Sequence, residues 1–361
     1  MRSTLDELKQ ELGELKGFVA SIVHVNEALA THAEAAVRRF AAIRRRFDNA
    51  AFVVALYASF EKYVEEVAAA HANIEAQRLS YANLPQKLAA KHLQRSAELL
   101  ARGRLGVGRH AGLTPAGVVT NLYNCLNGVT PYALNAAAVV WHDNNLRAKE
   151  LDDMFLPLGI ENMCLHLRRG DALIQWHMSV QGLPAPPADG VPGTVIEERL
   201  NDLVARRNQV AHRGGNPEDL LGADAMNEAI GFISALSEDV FAMVAGSYLA
   251  ARNGPDSAAA KLVQVVGNGP YMNGKVIVVS PPAISLKVGQ PIFVSRASGA
   301  ARWGRIQSLR LDDVDYETIP FGTPAPNGIG IRLDFVCSAN ASPVVLPEED
   351  DLVWADQQIA R

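Results

Sequence analysis

Hydrophobic positions in the first eighty residues repeat with helical spacing. Near the N-terminus they recur every three or four residues, at Leu5, Leu8, Leu12, Leu15, Val19, Ile22 and Leu29. This pattern predicts an amphipathic helix that packs on a helical partner, in the same chain or in another. A second pattern runs from Asp48 to about Gln77 and is densely apolar before Glu61. It predicts a long, central and largely buried helix.

Similar patterns continue to about residue 250, where Asn253-Gly254-Pro255 gives a strong helix stop. Helices are predicted around 85–102, 115–127, 146–156 and 161–177, from Thr194 onward, and over 223–252. Glycine, proline and asparagine separate them, and strand patterns are nearly absent. We therefore expect an all-α domain over residues 1–254 that includes the N-terminal amphipathic helix.

After about residue 260 the sequence changes to short β-branched runs separated by glycine and proline. The runs are KLVQVV, GKVIVVS, QPIFVSR, RWGRIQSLRL, YETIPF, GIGIRLDFV and PVVL. They predict six or seven strands, and a small closed barrel is favoured over a sandwich because closure removes exposed edges. The predicted fold class is therefore α plus a separate all-β domain, with a small β-barrel over residues 255–361.

Composition excludes several classes of function. The net charge is −5 without a basic tail, so any RNA contact must be local. The three cysteines lie far apart and the histidines lack metal-ligand spacing, so we predict no metal and no cofactor. No uninterrupted apolar window reaches the roughly 18 residues of a membrane span, so we expect a cytoplasmic protein without membrane contact.

One arginine falls on the apolar stripe of a predicted helix. Arg207 shares this stripe with Ile196, Leu200, Leu203, Val204 and Val210. A guanidinium among apolar side chains costs free energy unless a carboxylate, a phosphate or a partner subunit meets it. Arg207 is therefore either half of a buried ion pair or part of a site, and Glu61 and Glu65 are the nearest candidate acids.

His212 lies five residues after Arg207, which on a regular helix is a rotation of about 140° around the axis. One straight helix would not bring the two side chains together. Either the helix ends near Ala211, as the following Arg213-Gly214-Gly215 suggests, or two chains combine.

The segment RRNQVAHRG resembles the Arg-x4-6-His signature of the HEPN superfamily, in the RNxxxH form found in many of its ribonucleases. Two further stretches, SFEKYVEEV (59–67) and HDNNLRAKELDDMFLPLGI (142–160), precede ERLNDLVARRNQVAHRG (198–214). Their order is that of a HEPN branch associated with toxin and phage-defence systems. The resemblance covers most of residues 45–250 and implies a HEPN-like helical bundle.

This resemblance implies metal-independent RNA cleavage, in which the ribose 2′-OH attacks the adjacent phosphate and leaves a 2′,3′-cyclic phosphate and a 5′-OH. His212 would move protons, Arg207 would hold the phosphate, and Asn208 would orient either the phosphate or the histidine. It also implies a homodimer in which two motifs face one another. Glu61 is a further catalytic candidate, with the alternative that it only begins a solvated helix face.

Five arginines are predicted to contact RNA. Arg38, Arg44 and Arg45 belong to the basic run RRFAAIRRRF, and Arg206 and Arg213 flank the motif. For the basic run, a solvated helix face is the slightly favoured alternative. The glycine-rich loop 100–110 also carries arginines, but it lacks the Lys-Ser/Thr of a P-loop, so it gives no prediction of nucleotide binding.

The C-terminal segment from SLKVGQPIFVSR to GIGIRLD is similar to the second-domain barrel of translation elongation factors over about 60 residues. This resemblance transfers no catalytic residue. A sensor, a substrate positioner, a dimer-building module and a structural appendage all remain open.

The leading hypothesis from the sequence is a dimeric endoribonuclease that acts on RNA, with tRNA among the candidates, as a toxin or anti-phage effector. Such an effector implies a neutralising or activating protein partner. The alternative is a non-catalytic HEPN module that dimerises or binds RNA while the barrel recruits a partner.

Overall fold

The computed structural model describes residues 1–102, 105–213, 220–252, 261–267, 269–295, 300–337 and 341–346. The chain divides into two compact units. Unit 1 comprises Met1 and residues 3–240, and unit 2 comprises Arg2 and residues 241–361. This division falls upstream of the domain boundary predicted at residue 254, which itself lies outside the described residues.

The secondary structure described within residues 1–252 is helical. The described α-helices are α1 (Arg2–Ala30), α2 (Ala35–Arg78), α3 (Gln86–Arg102), α4 (Pro115–Leu126), α5 (Ala136–Val139), α6 (Ala148–Phe155), α7 (Met163–Leu167), α8 (Asp171–Gln181), α9 (Gly193–Arg213) and α10 (Ala223–Arg252). The helical fold predicted for this region is therefore confirmed.

The N-terminal helix α1 buries its apolar seam within its own chain. The residues buried there are Leu5, Leu8, Leu12, Val19 and Ile22. Lys62 of α2 forms ion pairs with Glu7 and Glu11 of α1, at 3.6 and 3.1 Å. The helical partner that the sequence left open is therefore intramolecular.

Helix α2 is the centre of unit 1. It has 44 residues and begins thirteen residues before the predicted start at Asp48. Its second half buries large side chains, among them Phe52, Phe60 and Tyr63, and it packs against α5, α6 and α9. The Tyr63 hydroxyl donates a 2.7 Å hydrogen bond to the carbonyl of Ser237, so its polar end is satisfied in the core.

Helix α10 is long and apolar enough to cross a membrane by length and composition alone, with a mean hydropathy of 1.5. In the structure 72% of that apolar window is buried. Such burial is typical of the core helix of a folded domain.

The helix predicted over 161–177 is two helices, α7 and α8, which meet at Gly170. The buried carboxylate of Asp239 accepts backbone N–H groups of Ala172 and Leu173, at 3.2 and 2.8 Å. It thereby satisfies donors that the first turn of α8 leaves unpaired. The break therefore depends on a residue of α10 that lies far away in the sequence, which local periodicity does not reveal.

A buried polar cluster joins α3 to the segment before α5. His92 is fully buried, its Nε2 accepts the backbone N–H of Asn135 at 2.9 Å, and its Nδ1 lies 3.1 Å from the Tyr81 hydroxyl. Because Nε2 accepts a fixed N–H donor, the ring is neutral with its proton on Nδ1. Burial lowers the pKa of His92 to about 4.

This histidine should make the folded state acid-sensitive. Its folded pKa of about 4 lies below the ordinary histidine value of 6.5, so its contribution to stability is present above pH 6.5 and is lost as the pH falls toward 4. The contribution is about 3 kcal/mol at most. Urea unfolding at several pH values should show a shallower acid loss for His92→Gln than for the wild type. The variant His24→Ala, at an exposed position, should keep the wild-type pH dependence.

Unit 2 contains antiparallel strands. These are β1 (Lys261–Leu262), β2 (Val276–Val279), β3 (Leu286–Lys287), β4 (Pro291–Ser295), β5 (Ala301–Leu311), β6 (Val314–Tyr316), β7 (Thr318–Ile319), β8 (Ile329–Leu333) and β9 (Pro343–Val345). Seven of these strands match the predicted runs, and β3 and β6 are additions. Along β8 the buried residues Ile329, Ile331 and Leu333 alternate with more exposed ones, as a half-buried strand requires.

The main sheet has the order β1-β9-β4-β5-β8-β2, with β6 paired to β5, and β3 pairs separately with β7. The sheet is curled. The N–H of Val263 donates to the carbonyl oxygen of Pro343 in β9, whereas the N–H of Val266 donates to the carbonyl oxygen of Val278 in β2. One segment, residues 261–266, therefore links the two edges of the sheet by backbone hydrogen bonds.

Candidate functional site

Two motif residues of α9 are fixed by contacts with other helices and loops. The Arg207 guanidinium lies 5.4 Å from the ring centroid of Tyr57 and donates a 3.1 Å hydrogen bond to Asn208 Oδ1. The side chain of Asn145 donates to the same oxygen, also at 3.1 Å. The segment before α6 and the second half of α2 therefore hold the Arg207-Asn208 pair in place.

Arg207 makes no ion pair with any carboxylate in the part of the chain that the structure describes. It is half-buried, with the aromatic face of Tyr57 as its cation–π partner. The position of Arg207 on the apolar stripe allowed two explanations, a buried ion pair or a functional site. The described contacts agree better with a functional site.

Tyr57 connects Arg207 to Glu61. Its hydroxyl donates a 2.7 Å hydrogen bond to Glu61 and accepts the backbone N–H of Leu146 at 2.9 Å. Burial, and then the hydrogen bond to Glu61, raise the pKa of Tyr57, so the phenol stays protonated at neutral pH. Glu61 therefore contacts the site through Tyr57 and does not neutralise Arg207 directly.

A second polar cluster lies beside Glu61. His142 Nε2 is 2.9 Å from Glu65 Oε1 and 3.8 Å from Glu61 Oε1, and His142 Nδ1 is 2.6 Å from the carbonyl oxygen of Asn144. Both ring nitrogens therefore face acceptors, which the imidazolium satisfies with two N–H donors. The hydrogen bond to Glu65 raises the pKa of His142, in agreement with this geometry.

The sequence did not assign His142 or Tyr57 to a site, and it named Glu65 only as a candidate acid for Arg207. Glu65 lies 77 residues from His142, too far along the sequence for spacing to connect the two. The available signal was that 59–67 and 142–160 both belong to the HEPN-like stretches. This signal points to the two stretches, but only the fold shows that His142 and Glu65 meet.

The side chains of His212 and Arg213 lie outside the described residues. The backbone is helical through both positions, because α9 ends at Arg213. The helix thus continues two residues past the end that the sequence suggested near Ala211. Positions 207 and 212 are therefore rotated by about 140° on one helix.

Of the predicted RNA-binding arginines whose side chains the structure describes, the three on α2 lie away from the Arg207-Asn208 pair. Arg45 is exposed twelve positions before Tyr57, which is about 18 Å along α2. Arg38 donates to the carbonyls of His32 and Ala33, Arg44 pairs with Asp48 at 3.2 Å, and Arg206 pairs with Asp202 at 2.8 Å. Arg38 lies farther along α2 from the site, and Arg206 is next to the motif. Their RNA contacts stay predictions.

Within the described residues no three His, Cys, Asp or Glu side chains lie close enough together to hold an ion. The expectation of a metal-free and cofactor-free site stays a prediction.

Comparison with known families identifies the helical region. A family model described as RiboL-PSP-HEPN matches residues 27–244, which is 218 of the 361 residues. The chain therefore belongs to the RiboL-PSP-HEPN family, and the HEPN resemblance is confirmed. A comparison with curated proteins found no match.

Family membership indicates a nuclease or another RNA-related function. The matched region contains Tyr57, Glu61, His142, Arg207 and Asn208, and so covers both polar clusters. The match ends at residue 244, before the strands of unit 2 begin, and the resemblance of these strands to the second domain of elongation factors is not confirmed.

Proposed function

We propose that this protein is a metal-independent endoribonuclease whose site contains Arg207, Asn208 and His212. The observation that carries the proposal is the state of Arg207, a half-buried guanidinium with no carboxylate partner among the described residues. Such a group can take a phosphate as its counterion. Membership in the RiboL-PSP-HEPN family adds the expectation of an RNA substrate.

The chemistry is an internal transesterification. The ribose 2′-oxygen forms a bond to the adjacent phosphorus, the bond from phosphorus to the 5′-oxygen breaks, and the products carry a 2′,3′-cyclic phosphate and a 5′-OH. His212 takes the 2′-OH proton, and a protonated imidazole supplies the proton that the leaving 5′-oxygen needs. Arg207 stabilises the charge that develops on the phosphate oxygens.

Asn208 and Tyr57 position Arg207 in this proposal. The amide oxygen of Asn208 accepts from both Arg207 and Asn145, and the ring of Tyr57 supports the guanidinium plane. Glu61 accepts the hydrogen bond of the Tyr57 hydroxyl and therefore positions Tyr57, without contacting the phosphate itself.

A homodimer is part of the proposal, because positions 207 and 212 are rotated by about 140° on one helix. An exposed apolar stripe on α2 supports it: Phe40, Ile43, Phe47 and Val54 are 54, 51, 61 and 44% exposed. Positions 47, 54 and 61 are seven residues apart and so share one face of α2. A second copy seated on this stripe would lie on the same helix face as Glu61, close to the motif.

The setting that we propose is a toxin or anti-phage effector, with RNA, including tRNA, as the substrate and a protein partner that neutralises or activates it. This setting comes from the HEPN branch in which the three motif stretches occur in the same order. We further propose that the protein works in the cytoplasm and without membrane contact.

The decisive experiment is incubation of total RNA and of tRNA with the purified protein in EDTA, alongside His212→Ala. We expect cleavage by the wild type, with cyclic-phosphate and 5′-OH ends, and a loss of about 100-fold or more in the variant. Equal inactivity of the two proteins as intact dimers would contradict the nuclease. It would favour the non-catalytic module that binds RNA or recruits a partner through unit 2.

A further inference from the structure

A cleft of 890 Å³ opens beside His142 in unit 1. One part of its wall is apolar, formed by Leu99, Leu105 and Val107. Its volume falls in the range of sites that enclose small organic ligands. The proposed phosphate chemistry at Arg207 does not use this cleft.

The aromatic wall of the cleft is formed by Trp141 and His110. Their rings are nearly parallel, with an interplanar angle of 13° and centroids 6.2 Å apart. The guanidinium groups of Arg102 and Arg95 lie 5.3 and 5.6 Å from the Trp141 ring centroid. Flat rings flanked by cations are the surface on which a nucleobase stacks.

The same cleft carries cationic groups. Arg102 and Arg109 line it, with side chains that are 57 and 52% exposed, and His142 lines it next to Glu65. Arg109 is held at 2.7 Å from Glu65. Arg102 is 3.5 Å from Glu98 and 3.9 Å from Asp143, distances too long for strong hydrogen bonds, so it keeps donors for an anion.

We propose that this cleft binds a nucleotide, with the base against Trp141 and His110 and the phosphate held by Arg102. The apolar part of the wall, the aromatic stacking surface and the guanidinium of Arg102 with its remaining donors together match a planar aromatic group joined to a phosphate. A P-loop is not needed, because side chains supply the contacts. The nucleotide is either free or one unit of an RNA chain.

The cleft also adjoins the proposed catalytic site. His142 belongs to the cleft wall and lies 3.8 Å from Glu61, which bonds to Tyr57 under Arg207. If the nucleotide is one unit of an RNA chain, these contacts link the cleft wall to the arginine that is proposed to hold the scissile phosphate. The inference itself does not need nuclease activity.

The test is calorimetric titration of the full-length protein with AMP, adenosine and inorganic phosphate. We expect saturable AMP binding that is at least about 10-fold tighter than adenosine binding, because the phosphate adds charged hydrogen bonds. Arg102→Glu should remove this difference and keep adenosine binding. Trp141→Leu should weaken the binding of both AMP and adenosine. Arg310→Glu is the control, because Arg310 has a similar exposure of 58%, and it should leave both affinities unchanged.

Competition identifies the source of the nucleotide. A 2′-O-methyl RNA octamer cannot undergo 2′-OH attack, so it stays intact during the titration. Displacement of AMP by the octamer assigns the cleft to the RNA chain, and AMP binding without displacement assigns it to a free nucleotide.

The absence of saturable AMP binding would overturn the inference. AMP binding no tighter than phosphate binding, or unchanged in both Arg102→Glu and Trp141→Leu, would also overturn it. AMP binding by a protein that cleaves no RNA would keep the nucleotide site and contradict only the nuclease.

Discussion

Mixing the Arg207→Ala protein with the His212→Ala protein is expected to restore RNA cleavage that neither protein shows alone. Each single variant should lose about 100-fold or more, because one lacks the phosphate-binding group and the other the proton-transfer group. If each site takes Arg207 from one protomer and His212 from its partner, one of the two sites of a mixed dimer is intact.

The composition of the mixture sets how much cleavage activity should return. Random exchange makes half of the dimers mixed, and each mixed dimer has one of two sites, so about a quarter of wild-type activity is expected. The measurement is the initial cleavage rate in EDTA after subunit exchange, with each variant mixed with wild type to show that exchange occurs. A mixture that stays inactive despite exchange would place both residues of a site in one chain.

Replacing Gly170 with alanine is expected to destabilise unit 1 by about 2–4 kcal/mol, because overpacking and the loss of a buried acceptor act together. A Cβ at this position would lie 2.0 Å from Asp239 Oδ2, the group that accepts N–H bonds from the start of α8. The carboxylate is buried and has little space into which to move. Urea unfolding followed by circular dichroism measures the change.

Two variants show whether this contact is the cause. Gly17→Ala lies in exposed space on α1, with nothing within 4 Å of the added Cβ, so it should stabilise the helix by about 0.5–1 kcal/mol. The double variant Gly170→Ala with Asp239→Ala should cost less than the sum of the single changes, because the clash is absent. An additive double variant would mean that the two side chains do not meet.

Much of the fold could be predicted because the main elements are long and periodic. The stripe of α1 and the apolar runs of unit 2 each indicate their own secondary structure. The division between α7 and α8 could not be predicted, because the carboxylate that caps α8 comes from Asp239. The short helix α5 has four residues, too few to show a helical period.

Some residues of the candidate site could be predicted from the sequence and others could not. Arg207 and Asn208 could be predicted because adjacent motif residues and one apolar stripe mark them. His142 and Tyr57 could not, since their roles depend on contacts with Glu65, Glu61 and Arg207 that only the folded chain creates. Sequence spacing reports neighbours on one helix, whereas these contacts join α2, α9 and the segment before α6.

The segment 261–266 limits how unit 2 can recognise a partner. Many peptide-binding domains accept an extended chain as an additional strand, which requires unpaired N–H and C=O groups along a sheet edge. Here that segment already occupies the outer edges of β9 and β2 through the bonds to Pro343 and Val278. A partner could add a strand at these two edges only by displacing this segment, so recognition there would depend on side chains and loops and not on backbone pairing.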